Sequence, residues 1–259
     1  MSDDVLKTSI ENSVARFTLN RPEKRNAFDS RLFKGLAEAL NRAKDDDEVN
    51  VVLLTGEGGN FCSGMDLGAS FDEGSTPYDM CAEAVTRFDK PLIAAVDGIA
   101  IGGGATIPFH CDVVYVGESL RMRLPFVNLG LAPEFASSYM LQAIIGVRRA
   151  AELMYTAEWI DAARAFELGI ATRVYPDAEL HERALAKANE IARWPLNSLR
   201  ATKRCIKATQ RANIDLALKV EAEAMAQQAG SPENIEAVTA FLQKREPDFK
   251  GLAKKTPGT

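Results

Sequence analysis

Residues 91–106 read PLIAAVDGIAIGGGAT, an apolar run that passes within a few residues into a glycine triplet, and the fold class turns on that junction. Residues 91–96 carry no polar face, which predicts a strand covered on both sides. Asp97-Gly98 ends the run. Gly102-Gly103-Gly104 then permits positive φ and lets another group approach the backbone closely. Where such a segment opens a helix, the first N–H groups lack partners and point toward an incoming oxygen. The spacing is not G-x-G-x-x-G and lacks the Gly-Lys-Ser/Thr ending of a P-loop, so neither dinucleotide nor P-loop chemistry follows. A tight packing junction is the plain structural alternative.

The same design occurs upstream. Residues 49–55 form a second continuous apolar run, and Gly56-Glu57-Gly58-Gly59-Asn60 leads into Phe61-Cys62-Ser63-Gly64-Met65-Asp66-Leu67, also rich in small residues. Two such loops converging on one carbonyl oxygen would make an oxyanion hole. Val14–Leu19 alternates as a strand and stops at Asn20-Arg21-Pro22. Residues 30–44 place Leu32, Phe33, Leu36, Leu40 and Ala43 on one helical stripe behind Asp29 as N-cap. Residues 112–116 give another buried strand, so the first half predicts an α/β fold. Beyond residue 133 helices are expected over 139–145, 148–155, 162–168, 179–194, 198–209, 216–228 and 233–244, with one strand at 172–175. No internal repeat is visible, and residues 254–259 read as a frayed tail.

Composition narrows the function. The 259 residues carry a net charge of −5 with no basic block, which argues against nucleic acid as a partner. No apolar run is long enough for a membrane span, and the acidic opening residues resemble neither a secretory signal nor a transit peptide. The four cysteines are scattered without metal-ligand spacing, so no metal and a reducing, cytoplasmic setting are expected. With two histidines in the chain, acid–base work falls to a carboxylate.

The ordered set Asn20-Arg21-Pro22, Asn26-Ala27, Phe61-x-x-Gly64-x-Asp66-Leu67, Gly98-x-Ala100-x-Gly102-Gly103-Gly104 and Cys111-Asp112 resembles the enoyl-CoA hydratase/isomerase (crotonase) superfamily. The likeness runs from residue 6 to 251. It implies a spiral of ββα units over residues 1–195 and a helical trimerisation region over 196–259, giving a homotrimer or dimer of trimers. It also implies acyl-CoA thioester substrates, with coenzyme A entering as part of the substrate and no separate cofactor. The resemblance places the two oxyanion donors on the backbone N–H groups of Met65 and Gly103. It assigns coenzyme A contacts to Arg25, Ala27, Ser63, Gly64, Asp66 and Leu67. Phe249 and Lys250 match a position where a neighbouring subunit touches the nucleotide.

The chain departs from that pattern where hydratases carry two glutamates. Those positions hold Thr106 and Phe126, neither of which accepts a proton. Glu134, in Leu129-Gly130-Leu131-Ala132-Pro133-Glu134-Phe135, resembles the base of the peroxisomal-type 3,2-enoyl-CoA isomerases. Pro133 suits a first helical turn, so Glu134 is expected at a helix N-terminus, with the dipole favouring its anion and apolar neighbours opposing it. Three readings stay open: isomerisation through Glu134, hydration or a related lyase reaction by Glu134 alone, and acyl-CoA binding without catalysis.

Overall fold

The computed structural model describes residues 4–69 and 77–253. The expected tail at 254–259, and most of the stretch around 71–80 on which acyl-chain length was expected to depend, lie outside the described residues. In chain order the elements are β1 (Leu6–Glu11), β2 (Val14–Leu19), α1 (Ser30–Asp45), β3 (Val51–Gly56), α2 (Pro77–Thr86), β4 (Leu92–Val96), β5 (Ile99–Ile101), α3 (Gly103–Thr106), β6 (Val113–Gly117) and β7 (Arg121–Arg123). Then come α4 (Ser137–Ile145), α5 (Val147–Thr156), β8 (Ile160–Asp161), α6 (Ala162–Glu167), β9 (Arg173–Tyr175), α7 (Asp177–Ala192), α8 (Leu196–Ala208), α9 (Arg211–Gln228), α10 (Pro232–Leu242) and α11 (Phe249–Ala253).

Six strands form one sheet in the order β1-β2-β3-β4-β6-β9, parallel throughout except for the β1–β2 hairpin. A smaller sheet runs β5-β7-β8. Two single parallel bridges, Cys62 to Ala100 and Phe28 to Met65, extend it on the β5 side. The chain thus repeats one move. It leaves the large sheet, lays a short extended piece in the small sheet, and enters a helix: β2, Phe28, α1; β3, Cys62–Met65, α2; β4, β5, α3; and β6 followed by β7. The repeat lives in hydrogen-bond pattern and not in residue identity, which is why the sequence shows none. The architecture is a spiral of such repeated units, as the resemblance implies.

Strand alternation explains the apolar runs. Val52 and Leu54 of β3 and Leu92, Ala94 and Val96 of β4 enter the main core. The residues between them, Val51, Leu53, Ile93 and Ala95, pack on the outer face against Leu180, Ala184, Ala188 and Ala192 of α7. Both faces are covered, so neither can be polar. The elements the sequence does not predict are short or weakly patterned. In β1 only Leu6 is buried, so no alternation marks it; β5, β7 and β8 have three, three and two residues.

Candidate active site

The two small-residue loops are zipped together. Phe61 N–H donates to Asp97 O, Cys62 N–H to Ile99 O and Ile101 N–H to Cys62 O, each at 2.9 Å. On the other side Phe28 N–H donates to Gly64 O at 2.7 Å, and Asp66 N–H to Phe28 O at 2.9 Å. In that bridge residues 64 and 66 face Phe28, so the Met65 N–H turns the opposite way. Gly103 opens α3, where the first N–H has no intrahelical acceptor. Neither N–H donates to another group among the described residues.

The three glycines do separate jobs. Gly102 takes φ 53 and ψ −122, a region closed to residues with a side chain. A Cβ on Gly104 would lie 2.3 Å from the Cys62 carbonyl oxygen, so the packing-junction reading is right for that residue. Gly103 is left beside the carboxylate of Glu134, whose Oε1 would stand 3.4 Å from a Cβ placed there.

Arg21 and Asn26 hold the Met65 loop. The buried Arg21 guanidinium donates to Ala27 O at 2.5 Å and to Asp66 Oδ2 at 3.0 Å, with Asp29 at 3.5 Å. The Asn26 side chain donates to the Glu57 and Asn60 carbonyls and accepts from Arg21 N–H. Burial raises the Asp66 pKa, but the Arg21 hydrogen bond and the Gly68 N–H outweigh it and hold the carboxyl below its ordinary value. The Asn-Arg-Pro…Asn-Ala motif therefore acts as scaffold.

The structure corrects the expected setting of Glu134. Helix α4 begins at Ser137, and Glu134 lies outside it. Phe135 and Ala136 form a left-handed turn, with φ 55 and 52. Such a turn is strained for residues with side chains, and three distant groups hold it. The Tyr78 hydroxyl accepts Phe135 N–H at 3.1 Å, and His110 Nε2 hydrogen-bonds Phe135 O at 2.5 Å. Glu221, on α9, accepts Ala136 N–H at 2.7 Å and Ser138 N–H at 2.8 Å. It is this carboxylate, and not Glu134, that takes the unpaired N–H groups at the start of α4. The Glu134 carboxylate has no hydrogen-bond or ion-pair partner among the described residues. Burial first, and then the charge of Glu221, push its pKa up to about 7. His110 is buried and pushed down to about 4, chiefly by desolvation, so it holds the turn as a neutral ring.

These parts meet on a cavity of about 1480 Å³ whose lining includes Gly64, Met65, Gly102 and Glu134. Arg25, Ala27, Ser63, Asp66, Leu67 and Phe249 line it too. Gly103 is buried, next to Gly102, and Lys250 is not part of the lining. Phe249 thus borders the cavity of its own chain. Asp66 is present, but its carboxylate is engaged by Arg21 and Gly68 N–H. Thr106 is fully buried and Phe126 lines the cavity as an apolar wall. Burial pushes the Cys62 thiol up to about 12, which rules out a thiolate at neutral pH. Among the described residues no cluster of three or more His, Cys, Asp or Glu is arranged to hold a metal, and no helix is long and apolar enough to cross a membrane. Tyr78 and Glu221 escape a sequence reading. The one hint is a carboxylate on the stripe of α9 that also buries Ile214 and Ala217.

The family model for enoyl-CoA hydratase/isomerase matches residues 9–253. The 2,3-dehydroadipyl-CoA hydratase of Escherichia coli K12 is 35% identical, covering 95% of this chain and 98% of that protein. The 1,2-epoxyphenylacetyl-CoA isomerase of the same organism is 32% identical over 96% and 99%. A crystal structure of an enoyl-CoA hydratase/isomerase from Pseudoalteromonas atlantica T6c superposes with a TM-score of 0.92 at 37% identity, covering 95% of this chain and 99% of that one.

Proposed function

The chain belongs to the enoyl-CoA hydratase/isomerase family, and from that premise we propose that it moves the double bond of a 3-enoyl-CoA to the 2-position, with Glu134 carrying the proton. The observation that carries this reading is a single unpartnered carboxylate set against the glycine loop, while positions 106 and 126 hold threonine and phenylalanine. The thioester oxygen accepts the N–H groups of Met65 and Gly103. Glu134 removes a proton from the α carbon, the electron pair moves onto that oxygen, and the dienolate forms. The carboxylic acid then returns the proton to the γ carbon, so the product has the formula of the substrate. A carboxyl with a pKa of about 7 is suited to both halves, because neither transfer is steeply uphill. Stabilisation by two N–H donors contributes several kcal/mol.

Arg25, Ala27, Ser63, Gly64 and Leu67 receive the coenzyme A portion in this reading, and Glu134 is the counterpart of the peroxisomal-type isomerase base. Residues 196–259 make the trimer contact, consistent with exposed Leu216, Val220, Ile235 and Leu242; light scattering tests it. A second reading, hydration through Glu134 alone, draws on the similarity to the E. coli 2,3-dehydroadipyl-CoA hydratase.

The test is direct. A 3-enoyl-CoA should gain the absorbance of the conjugated thioester, and Glu134→Gln should abolish the gain. Loss of conjugated absorbance from a 2-enoyl-CoA without isomerisation would favour hydration. Coenzyme A thioester binding with no turnover across a chain-length panel would leave a binding protein.

A further inference from the structure

Arg121 and Arg123 stand two residues apart on one face of β7, and both guanidinium groups sit over the ring of Trp159, 4.8 and 5.2 Å from its centroid. Neither forms an ion pair with a carboxylate among the described residues. Arg123 instead donates to neutral acceptors, Ala157 O at 2.6 Å and Asn128 Oδ1 at 3.5 Å. Two like charges gathered on one ring repel, and an arriving anion would relieve that repulsion. Arg123, Asn128 and Trp159 all line the cavity that holds Glu134.

Sheet order says which end of the cavity this is. Across the small sheet the sequence of pieces is Phe28, then Met65 and Cys62, then β5, β7 and β8. Arg25 and Ser63 belong to the Phe28–Met65 side. Arg123 pairs with Ile101 across β5–β7, and its carbonyl accepts the Gly102 N–H at 3.1 Å. The Met65 and Gly103 N–H groups lie between. A thioester held at those N–H groups with coenzyme A toward Arg25 therefore extends its acyl chain toward β7.

Resting on the function proposed above, we propose that Arg123, supported by Trp159 and Asn128, is an anion subsite for the far end of the acyl chain. The substrate is then an enoyl-CoA whose chain ends in a carboxylate. Hydrogen bonds from a guanidinium to a carboxylate are among the stronger ones available in a partly dry site.

The experiment compares two unreactive thioesters of equal length, adipoyl-CoA and hexanoyl-CoA, by calorimetry on the full chain. Wild type should bind adipoyl-CoA at least about tenfold more tightly. Arg123→Met should bring the ratio to one or below, and Arg123→Lys should restore part of it. Because the readout is a ratio, a general loss of folding or coenzyme A affinity cancels. A ratio near one in wild type, or an unchanged ratio in Arg123→Met, overturns the proposal. Selective adipoyl-CoA binding by a protein that isomerises no enoyl-CoA would support this subsite while sinking the isomerase reading. Isomerisation without selectivity would do the reverse.

Discussion

Glu221 reaches from α9 to accept the Ala136 N–H at 2.7 Å, and so fixes the left-handed turn that aims Glu134 at the glycine loop. It is also the charged group that acts on Glu134, raising its pKa after burial has done so. Glu221→Gln removes the charge and keeps a side-chain oxygen for one N–H. The Glu134 pKa should fall, and the acid limb of kcat/KM should shift to lower pH, while stability drops by about 1–2 kcal/mol because one of the two N–H groups loses its acceptor. Glu221→Ala should cost about 2–4 kcal/mol, because two N–H groups lose their acceptors. An unmoved pH profile in Glu221→Gln would separate the two carboxylates.

Glu134 itself should lower stability above neutral pH. Its folded pKa, about 7, lies above the ordinary 4.5, so the folded state holds the proton more tightly than the unfolded chain. That contribution is fully present below pH 4.5 and is lost as pH rises through 7. Glu134→Gln should therefore be more stable than wild type at pH 8, by about 3 kcal/mol at most, with the gain shrinking as pH falls toward 4.5. Denaturation at several pH values reads this directly, and equal shifts at all of them would contradict it.

What the sequence made legible was local. The glycine triplet, the Gly64-Met65 loop and Glu134 each sit within a few residues of the pattern that betrays them. The setting of Glu134 was hidden because its three supports are remote. Tyr78 is 57 residues away from Phe135, His110 is 25, and Glu221 is 85 residues from Ala136. Pro133 before a helical stripe predicts a helix start there, and a tertiary clamp places the start at Ser137 instead. Arg123 was unreadable for a related reason. A three-residue strand shows no period, and only its pairing with Ile101 brings that arginine beside the glycine loop.

The Arg21 guanidinium should act on turnover only through the Met65 loop that it holds. Arg21→Met strips Asp66 and Asp29 of their buried partner and frees the Ala27 carbonyl, at a cost of about 3 kcal/mol. For both acids burial raises the pKa, yet hydrogen bonds and cations outweigh it and leave the folded value lowered. Their stabilisation is present above the unfolded carboxylate pKa and is lost as pH falls through the folded one. The variant should therefore show a smaller drop in stability between pH 6 and 3 than wild type, alongside a reduced kcat from the loosened Met65 loop. A wild-type acid limb in the variant would refute the pairing.

Gly104→Ala tests whether the packing of α3 on the Met65 loop sets the two N–H groups that the proposed reaction uses. The added methyl would come 2.3 Å from the Cys62 carbonyl oxygen and 2.8 Å from its Cβ, distances no side chain accommodates without moving backbone. The same Cys62 carbonyl accepts the Ile101 N–H that zips the two loops, so relief of the clash must pull β5 and Gly103 away from Met65. Losing the alignment of one donor should lower kcat by about 10²-fold, while thioester binding, carried by contacts elsewhere in the cavity, falls less. A variant that folds and keeps wild-type kcat would show that the two N–H groups are not positioned through this contact.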